Sequence, residues 1–261
     1  MTANVLSEAS IRKIAPAVFA TDPAPDTSSR YGFISTAALM EELLGRDFVV
    51  TSARQDRVAP WGDRSPLTER HELRFAHQSF LDPDRDVGDH FPQITLVNEH
   101  RGHNKAHIGT GVYRLVCLNG MIVGRQDAAY TLRHTTNAPA LIDAALPVIL
   151  AAQDRAVKAI EHWEEIELTV AQQQRFAEEA LKLRFSNPAA YTVDAALETR
   201  RAEDEGSSLW RVFNRVQENL TQHSISGRSS QGRTIRSRPL TGITLDAKFN
   251  AGLWNVAEAF A

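Results

Sequence analysis

Hydrophobic and polar positions alternate with a period of two over much of the first half of the chain. Five runs rich in β-branched and aromatic residues are separated by clusters of turn-forming residues: FVVTSARQ, RHELRFAHQ, PQITLVNEH, AHIGTGVYRLVCL and MIVGRQDAAYTLRH. No helical pattern interrupts them, so they predict an antiparallel sheet over about residues 48–133. Asn119-Gly120 suits the positive φ angles of a two-residue turn and predicts a hairpin at that point.

The pattern changes to a helical period on both sides of this region. A short helix is predicted before the sheet, with Thr36 as its N-cap and Gly45 at its end. After Thr135 helical spacing predominates up to the C-terminus, interrupted by short polar connections. A sheet followed by helices predicts an α+β fold, in which helices pack on the sheet and the C-terminal half is mainly helical.

Two stretches follow neither period. Residues 1–31 hold three prolines among Ala, Thr, Asp and Ser residues, and they predict a flexible N-terminal arm. Residues 223–242 are dense in Ser, Gly and Arg and predict a loop. The expected organisation is therefore an arm followed by a single domain over residues 32–261, which carries this loop.

Composition excludes several classes of protein. No apolar run approaches the roughly 18 residues that a membrane helix needs, and the N-terminus lacks the basic start and long apolar core of a signal peptide. The single cysteine cannot form an internal disulfide. We therefore expect a cytoplasmic protein without membrane contact. The net charge of −3 also excludes a polycation, so nucleic-acid binding would need a local basic patch.

Cys117 stands in the apolar run VYRLVCLNGMIVG. A strand over residues 108–118 would place Tyr113 and Leu115 on the same face as Cys117, and the opposite face is also largely apolar. Burial among apolar side chains raises the pKa of a thiol and makes it unreactive. We therefore expect Cys117 to be a core residue and not a nucleophile.

Three histidines, His100, His103 and His107, lie close together in EHRGHNKAH. Zinc ligands often have such short spacings, but strong zinc signatures join two paired modules and no second pair is present. The segment also fits a polar loop between two strands. The sequence contains no phosphate-binding glycine loop, no dinucleotide fingerprint and no nucleophile elbow. We expect no metal, no cofactor and no enzymatic activity, with a metal site on these histidines as the alternative.

Four arginines, Arg228, Arg233, Arg236 and Arg238, lie in HSISGRSSQGRTIRSRPLTG without any acidic residue. The planar guanidinium group suits phosphate, and serine hydroxyls and glycine amides are further donors. The alternative is a solvated loop without a ligand. We interpret the stretch as a nucleic-acid-binding site.

Three further basic residues are additional candidates for nucleic-acid contacts. Arg101 and Lys105 lie in the loop with His103, and Arg114 stands in an apolar strand. For Arg114 the alternatives are an ion pair with a carboxylate, because charges within a sheet are usually paired, or a strand end that reaches solvent.

The stretch GVYRLVCLNGMIV, with PQITLVNEHRG before it and YTLRHTTNAPALIDAAL after it, resembles a phage- and plasmid-borne family called domain of unknown function 932. SLWRVFNRVQENLTQHS and NAGLWNVAEAF extend the resemblance, which covers the chain from about Ile34 onward. It supplies no catalytic residues. It implies a role on a mobile element, where such genes accompany genes for DNA processing and for evasion of host defence.

Two functions from different classes follow from these observations. The first is nucleic-acid binding by a homo-oligomer of a phage- or plasmid-type mobile element, with single-stranded DNA binding or annealing as the expected activity. The second is inhibition of a host defence protein, of the anti-restriction or anti-CRISPR type, through protein binding. Salt-dependent binding to DNA would favour the first, and a stoichiometric complex without DNA would favour the second. We expect the first.

Overall fold

The protein has the predicted α+β class, with an antiparallel sheet in the N-terminal half and mostly helices in the C-terminal half. A computed structural model describes residues 5–58, 65–81, 90–114, 119–122, 129–132 and 137–261. The chain forms two compact units: the first comprises residues 1–122 and 126–154, and the second comprises residues 123–125 and 155–261. Among the described helices, none is both long enough and apolar enough to cross a bilayer.

The first unit contains the main sheet. Its described strands are β1 Phe48–Gln55, β2 His71–His77, β3 His90–Asn98, β4 His107–Arg114, β5 Asn119–Ile122 and β6 Ala129–Thr131. They are ordered β1-β2-β3-β4-β5, and β6 also pairs with β4. All five predicted runs form strands, and the last run contains both the end of β5 and the whole of β6.

Helices precede and follow the main sheet along the chain, and they make up most of the second unit. They are α1 Glu8–Ile14, α2 Thr36–Leu44, α3 Ala138–Glu165, α4 Val170–Arg184, α5 Val193–Leu197, α6 Leu209–Thr221 and α7 Ile243–Glu258. Short 3₁₀ helices occupy Pro16–Phe19, Pro66–Thr68, Gln78–Phe80, Pro188–Ala190 and Ala202–Asp204. A separate two-stranded sheet joins β7 Ser226–Arg228 and β8 Thr234–Arg236.

The N-terminal segment has more regular structure than its sequence predicts. The amide of Leu6 donates to the carbonyl of Val50 on the edge strand β1 at 2.8 Å, and α1 buries Ile11 in the core of the first unit. A helix of seven residues with one buried position shows no visible period, which explains why the pattern missed it. The flexibility of this arm and the single domain over residues 32–261 stay predictions.

Alternation along the strands gives the sheet one apolar face and one face that mixes polar and apolar residues. Leu73 pairs with Leu96 and Phe75 with Ile94, and these side chains belong to the hydrophobic core that includes residues of α1, α2 and α3. Four of the intervening positions of β2 and β3 are buried and polar, Glu72, Arg74, Gln93 and Thr95, whereas Ala76 and Phe91 form a small separate hydrophobic cluster. Buried polar groups require partners, so this face depends on hydrogen bonds and ion pairs.

The hairpin between β4 and β5 differs from the prediction at its turn. Arg114 pairs with Asn119, and Tyr113 pairs with Gly120, so Asn119-Gly120 lies inside β5 and not at the turn. The prediction of a turn at Asn119-Gly120 was therefore wrong. Cys117 lies outside the described residues, and its place in the core stays a prediction.

Aromatic side chains form the core of the second unit. Trp163 of α3 lies 4.5 Å from Trp254 of α7 and 5.8 Å from Phe213 of α6, measured between ring centroids. Trp210 stacks on Phe213 at 5.6 Å. All four rings are buried, so Trp210, Phe213 and Trp254 are core residues.

Helix α6 is buried on its polar side as well as on its apolar side. Its buried polar residues are Asn214, Arg215, Gln217, Glu218, Asn219 and Thr221. The guanidinium group of Arg215 donates to the carbonyls of Asp204 and Gly206, and Glu218 accepts a hydrogen bond from Arg201. The polar face of α6 therefore binds the segment that precedes the helix through hydrogen bonds. In the sequence, such a buried polar face looks the same as a polar face exposed to solvent.

Candidate nucleic-acid interface

The Ser/Gly/Arg-rich stretch, predicted as an irregular loop, contains a β-hairpin. In the antiparallel pair β7–β8, Ser226 pairs with Arg236 and Arg228 pairs with Thr234. We call residues 224–238 the arginine hairpin. The loop prediction was wrong for these residues because each strand has only three residues, too few for a visible alternation.

Hydrogen bonds close both ends of the arginine hairpin. At the tip, the amide of Ser229 donates to the carbonyl of Arg233 at 2.9 Å, and Gly232 has a φ of 76°, which favours glycine. At the base, the amide of Ile225 donates to the hydroxyl of Ser237 at 2.9 Å, and the amide of Ser237 donates back to the carbonyl of Ile225. The hairpin is therefore fixed along its length.

All four predicted arginines are exposed on this hairpin. Strand alternation directs Arg228 and Arg236 away from the face that contains buried Gly227. Arg238 follows on the far side of buried Ser237 and is also exposed. Arg228 and Arg236 therefore share one face of the hairpin, which we call the arginine face, and Arg233 directly precedes β8. The structure thus brings Arg228, Arg233, Arg236 and Arg238 together.

An aromatic pair supports the other face of the hairpin. Tyr191 forms an isolated antiparallel bridge with Gly227 and stacks on Phe185, with 3.9 Å between ring centroids. A Cβ atom at Gly227 would lie 2.7 Å from Cδ1 of Tyr191, so the ring lies against the face opposite Arg228. These rings therefore hold the hairpin in place and are not positioned to stack a base on the arginine face.

Replacing Gly227 by Ala is expected to destabilise the second unit and to weaken any ligand binding by the hairpin. The new Cβ would lie 2.4 Å from the carbonyl oxygen of Ala190, a distance that requires the backbone to move. Thermal denaturation should show a midpoint several degrees lower, because overpacking costs about 1–3 kcal/mol. Gly242→Ala is the matched control, since open space surrounds Gly242. Equal midpoints for both variants would contradict the close approach.

Arg184, at the end of α4, contacts the base of the hairpin, and the sequence analysis did not identify it. Its Nε donates to the carbonyl of Leu220 at 3.0 Å, and its Nη2 donates to the carbonyl of Arg238 at 2.6 Å. The guanidinium group lies 4.8 Å from the ring centroid of Phe185. Burial lowers the pKa of Arg184 below its ordinary value. Its position in the last helical turn was the one available signal, since basic residues there often bind carbonyls.

The other three predicted cations belong to the first unit. Arg101 is only 17% exposed, and its Nη1 lies 3.7 Å from Oε1 of Glu69. Lys105 is exposed in the same connection between β3 and β4, and Arg114 ends β4. Their contacts with nucleic acid stay predictions, whereas the ion pair gives Arg101 a structural role.

The three clustered histidines do not form one site. His100 is buried, and its Nε2 bonds to the carbonyl of Ala17 at 3.0 Å. His103 is exposed, and His107 lies 3.2 Å from the hydroxyl of Thr131. Within the part of the chain that the structure describes, no three His, Cys, Asp or Glu side chains are placed to share a metal ion.

His100 instead forms a buried pair with His71, which the sequence did not predict. Their ring centroids are 5.1 Å apart. Burial lowers the pKa of His71 to about 3 and the pKa of His100 to about 4, so both rings are neutral at pH 7. No described side chain or backbone group bonds to Nδ1 of His100. A proton added there would therefore be buried without an acceptor.

Helix α2 supports this pair through Thr36. The N-cap of α2 is Ser35 and not Thr36 as predicted, which leaves the hydroxyl of Thr36 free for a tertiary contact. That hydroxyl accepts from Nδ2 of Asn98 at 2.9 Å and lies 2.8 Å from Nε2 of His71. Because the carbonyl of Glu69 can only accept, Nδ1 of the neutral His71 carries the proton, and Nε2 accepts from the hydroxyl of Thr36.

Comparisons with other proteins agree with the resemblance seen in the sequence. UPF0380 protein YafZ from Escherichia coli (strain K12) is 30% identical over 255 residues, which cover 97% of this chain and 91% of the relative. UPF0380 protein YfjQ from the same organism is 29% identical over 254 residues, with 97% and 90% covered. No solved structure matches the chain. A domain of unknown function (DUF932) matches residues 26–245, most of the chain, and the protein therefore belongs to the DUF932 family.

Proposed function

We propose that the protein binds nucleic acid through phosphate contacts made by the arginine hairpin. The observation that supports this proposal is the exposure of four arginines on one short hairpin that is closed at both ends. No acidic residue occurs between Glu218 and Asp246, although the whole chain has a net charge of −3. Concentrated guanidinium groups release counterions from a phosphate backbone, which favours binding.

Backbone contacts and not base contacts are the expected mode of recognition. The aromatic pair under the hairpin supports its fold, and the arginine face offers planar donors that suit phosphate oxygens. Such contacts position a protein on nucleic acid without reading its sequence. We therefore expect affinity that depends strongly on salt and weakly on sequence.

Single-stranded DNA of a phage- or plasmid-type mobile element is the ligand we propose. The site would act in the cytoplasm, by binding and without a catalytic step. A homo-oligomer would place several arginine hairpins along one strand, and multiple sites raise the apparent affinity without new kinds of contact. Single-strand annealing then follows if two strands occupy neighbouring hairpins.

The test is a fluorescence-anisotropy titration of labelled single- and double-stranded DNA at several salt concentrations. The test variant replaces Arg228, Arg233, Arg236 and Arg238 by alanine. We expect its slope of log affinity against log salt to be shallower by about three for single strands, since each phosphate contact contributes about 0.7.

The matched control removes four positive charges elsewhere. Its sites, Lys13, Arg30, Lys158 and Lys248, are exposed and lie outside the hairpin. It should keep most of the wild-type slope. Equal slopes for both variants would assign binding to net charge and contradict the hairpin site. If the wild-type protein binds neither DNA at low salt, the proposal fails, and a stoichiometric complex with a host defence protein becomes the function to test.

A further inference from the structure

Arg184 joins three elements at the base of the arginine hairpin. It lies in the last turn of α4, donates to the carbonyl of Leu220 near the end of α6, and donates to the carbonyl of Arg238 where the hairpin ends. The last carbonyls of a helix have no partners within that helix. One guanidinium group therefore satisfies a helix end and holds the hairpin at the same time.

The bond from Arg184 to the carbonyl of Arg238 restrains the peptide group at the point where the chain leaves the hairpin. Few other bonds fix this point: the amide of Leu240 donates to the carbonyl of Thr221 at 2.7 Å, and the hydroxyl of Ser224 donates to the carbonyl of Ser237 at 2.7 Å. Without Arg184, the backbone of Arg238 would lose one of these restraints. A binding group that is already oriented loses less entropy when it binds than a mobile one.

We propose that Arg184 is a positioning residue that aligns the arginine face for phosphate. This inference rests on the proposed function of the hairpin and identifies a residue on which that function depends. Arg184 is half-buried and engaged with two carbonyls and an aromatic ring, so it acts through the orientation of Arg236 and Arg238. Its planar fork matters here, because a lysine ammonium cannot reproduce the same pair of directed bonds.

The experiment compares Arg184→Lys with the wild-type protein. This change keeps the positive charge, so any loss of affinity comes from geometry. We expect single-stranded DNA binding to weaken about tenfold and the salt slope to become shallower by about 0.7, the contribution of one phosphate contact to a single strand. Trypsin should cut faster after Arg228, Arg233 and Arg236, since cleavage requires local opening. The thermal midpoint should stay within a few degrees of the wild-type value.

Two further variants complete the design. Ser237→Ala removes the acceptor for the amide of Ile225 at the hairpin base without touching Arg184, and it should produce the same faster cleavage and weaker binding. Lys182→Gln removes an exposed charge two residues from Arg184, on a side chain paired with Glu179, and it should change neither property.

The outcomes separate this inference from the proposed function. If the wild-type protein binds and Arg184→Lys binds equally well, the positioning role is wrong and the proposed function stands. Weaker binding without faster cleavage would make Arg184 a direct phosphate contact, which also overturns the positioning role. If the wild-type protein does not bind, the proposed function and this inference fail together.

Discussion

Lowering the pH from 7.5 to 5 is expected to remove about 4 kcal/mol from the free energy of unfolding. Burial lowers the pKa of His71 to about 3 and that of His100 to about 4, whereas both have the ordinary value of 6.5 in the unfolded chain. Below pH 6.5 the unfolded chain therefore takes up protons before the folded chain does. Stability is complete above pH 6.5 and falls progressively as the pH drops towards 4.

Urea unfolding followed by circular dichroism between pH 7.5 and 5 measures this loss. Replacing both His71 and His100 by Gln should lower stability at pH 7.5 but flatten its dependence on pH. His103→Gln is the matched control, because His103 is exposed in the loop that follows β3, and it should keep the wild-type slope. A free energy of unfolding that is level across this range would contradict the burial of two neutral histidines.

Replacing Glu72 by Gln is expected to cost about 3–5 kcal/mol, because it removes the carboxylate between two arginines. The Glu72 side chain is fully buried, and its Oε1 accepts from Nε of Arg74 at 2.7 Å and from Nη2 of Arg54 at 2.9 Å. Burial by itself would raise the pKa of Glu72, but Arg74 and Arg54 outweigh it and hold the pKa below its ordinary value. Without the carboxylate, the buried guanidinium group of Arg74 loses the charge and the hydrogen bond that Glu72 supplies.

Thermal denaturation should show a midpoint about 10 °C lower for this variant. Glu8→Gln is the matched control: its partner Arg12 is exposed, and solvent screens that pair, so the midpoint should hardly move. A triple variant with leucine at Arg54, Glu72 and Arg74 should recover much of the loss, since it removes all three charges of the ion pairs together. An unchanged midpoint for Glu72→Gln would show that the buried ion pairs do not stabilise the fold.

The predicted strands were the most accurate part of the sequence analysis. The run FVVTSARQ coincides with β1. Its side chains point alternately to the two faces of the sheet, and this alternation is visible in the sequence. Helix α4 begins after its N-cap Thr169, whose capping box with Gln172 is a local signal in the sequence. By contrast, α1 and the arginine hairpin were missed, because short elements depend on contacts with distant parts of the chain.

The arginines of the candidate site were visible in the sequence, but their arrangement was not. Charge density and the absence of acidic residues identified Arg228, Arg233, Arg236 and Arg238. Their common exposure depends on β7 lying against Tyr191, a contact that needs glycine at position 227. Arg184 was missed because nothing in its local sequence indicates that it would bind the carbonyl of Arg238, 54 residues later.

The sequence by itself determined the class of the fold, the main strands and helices, the basic stretch and the family resemblance. Each of these depends on local composition or spacing, which a single chain displays directly. Only the tertiary structure decided that the ring of His100 packs against the ring of His71 and not against that of His103. It also decided that Glu72 is buried between two arginines. Those outcomes arise from strand register and long-range packing, which place side chains by contacts between residues far apart in sequence.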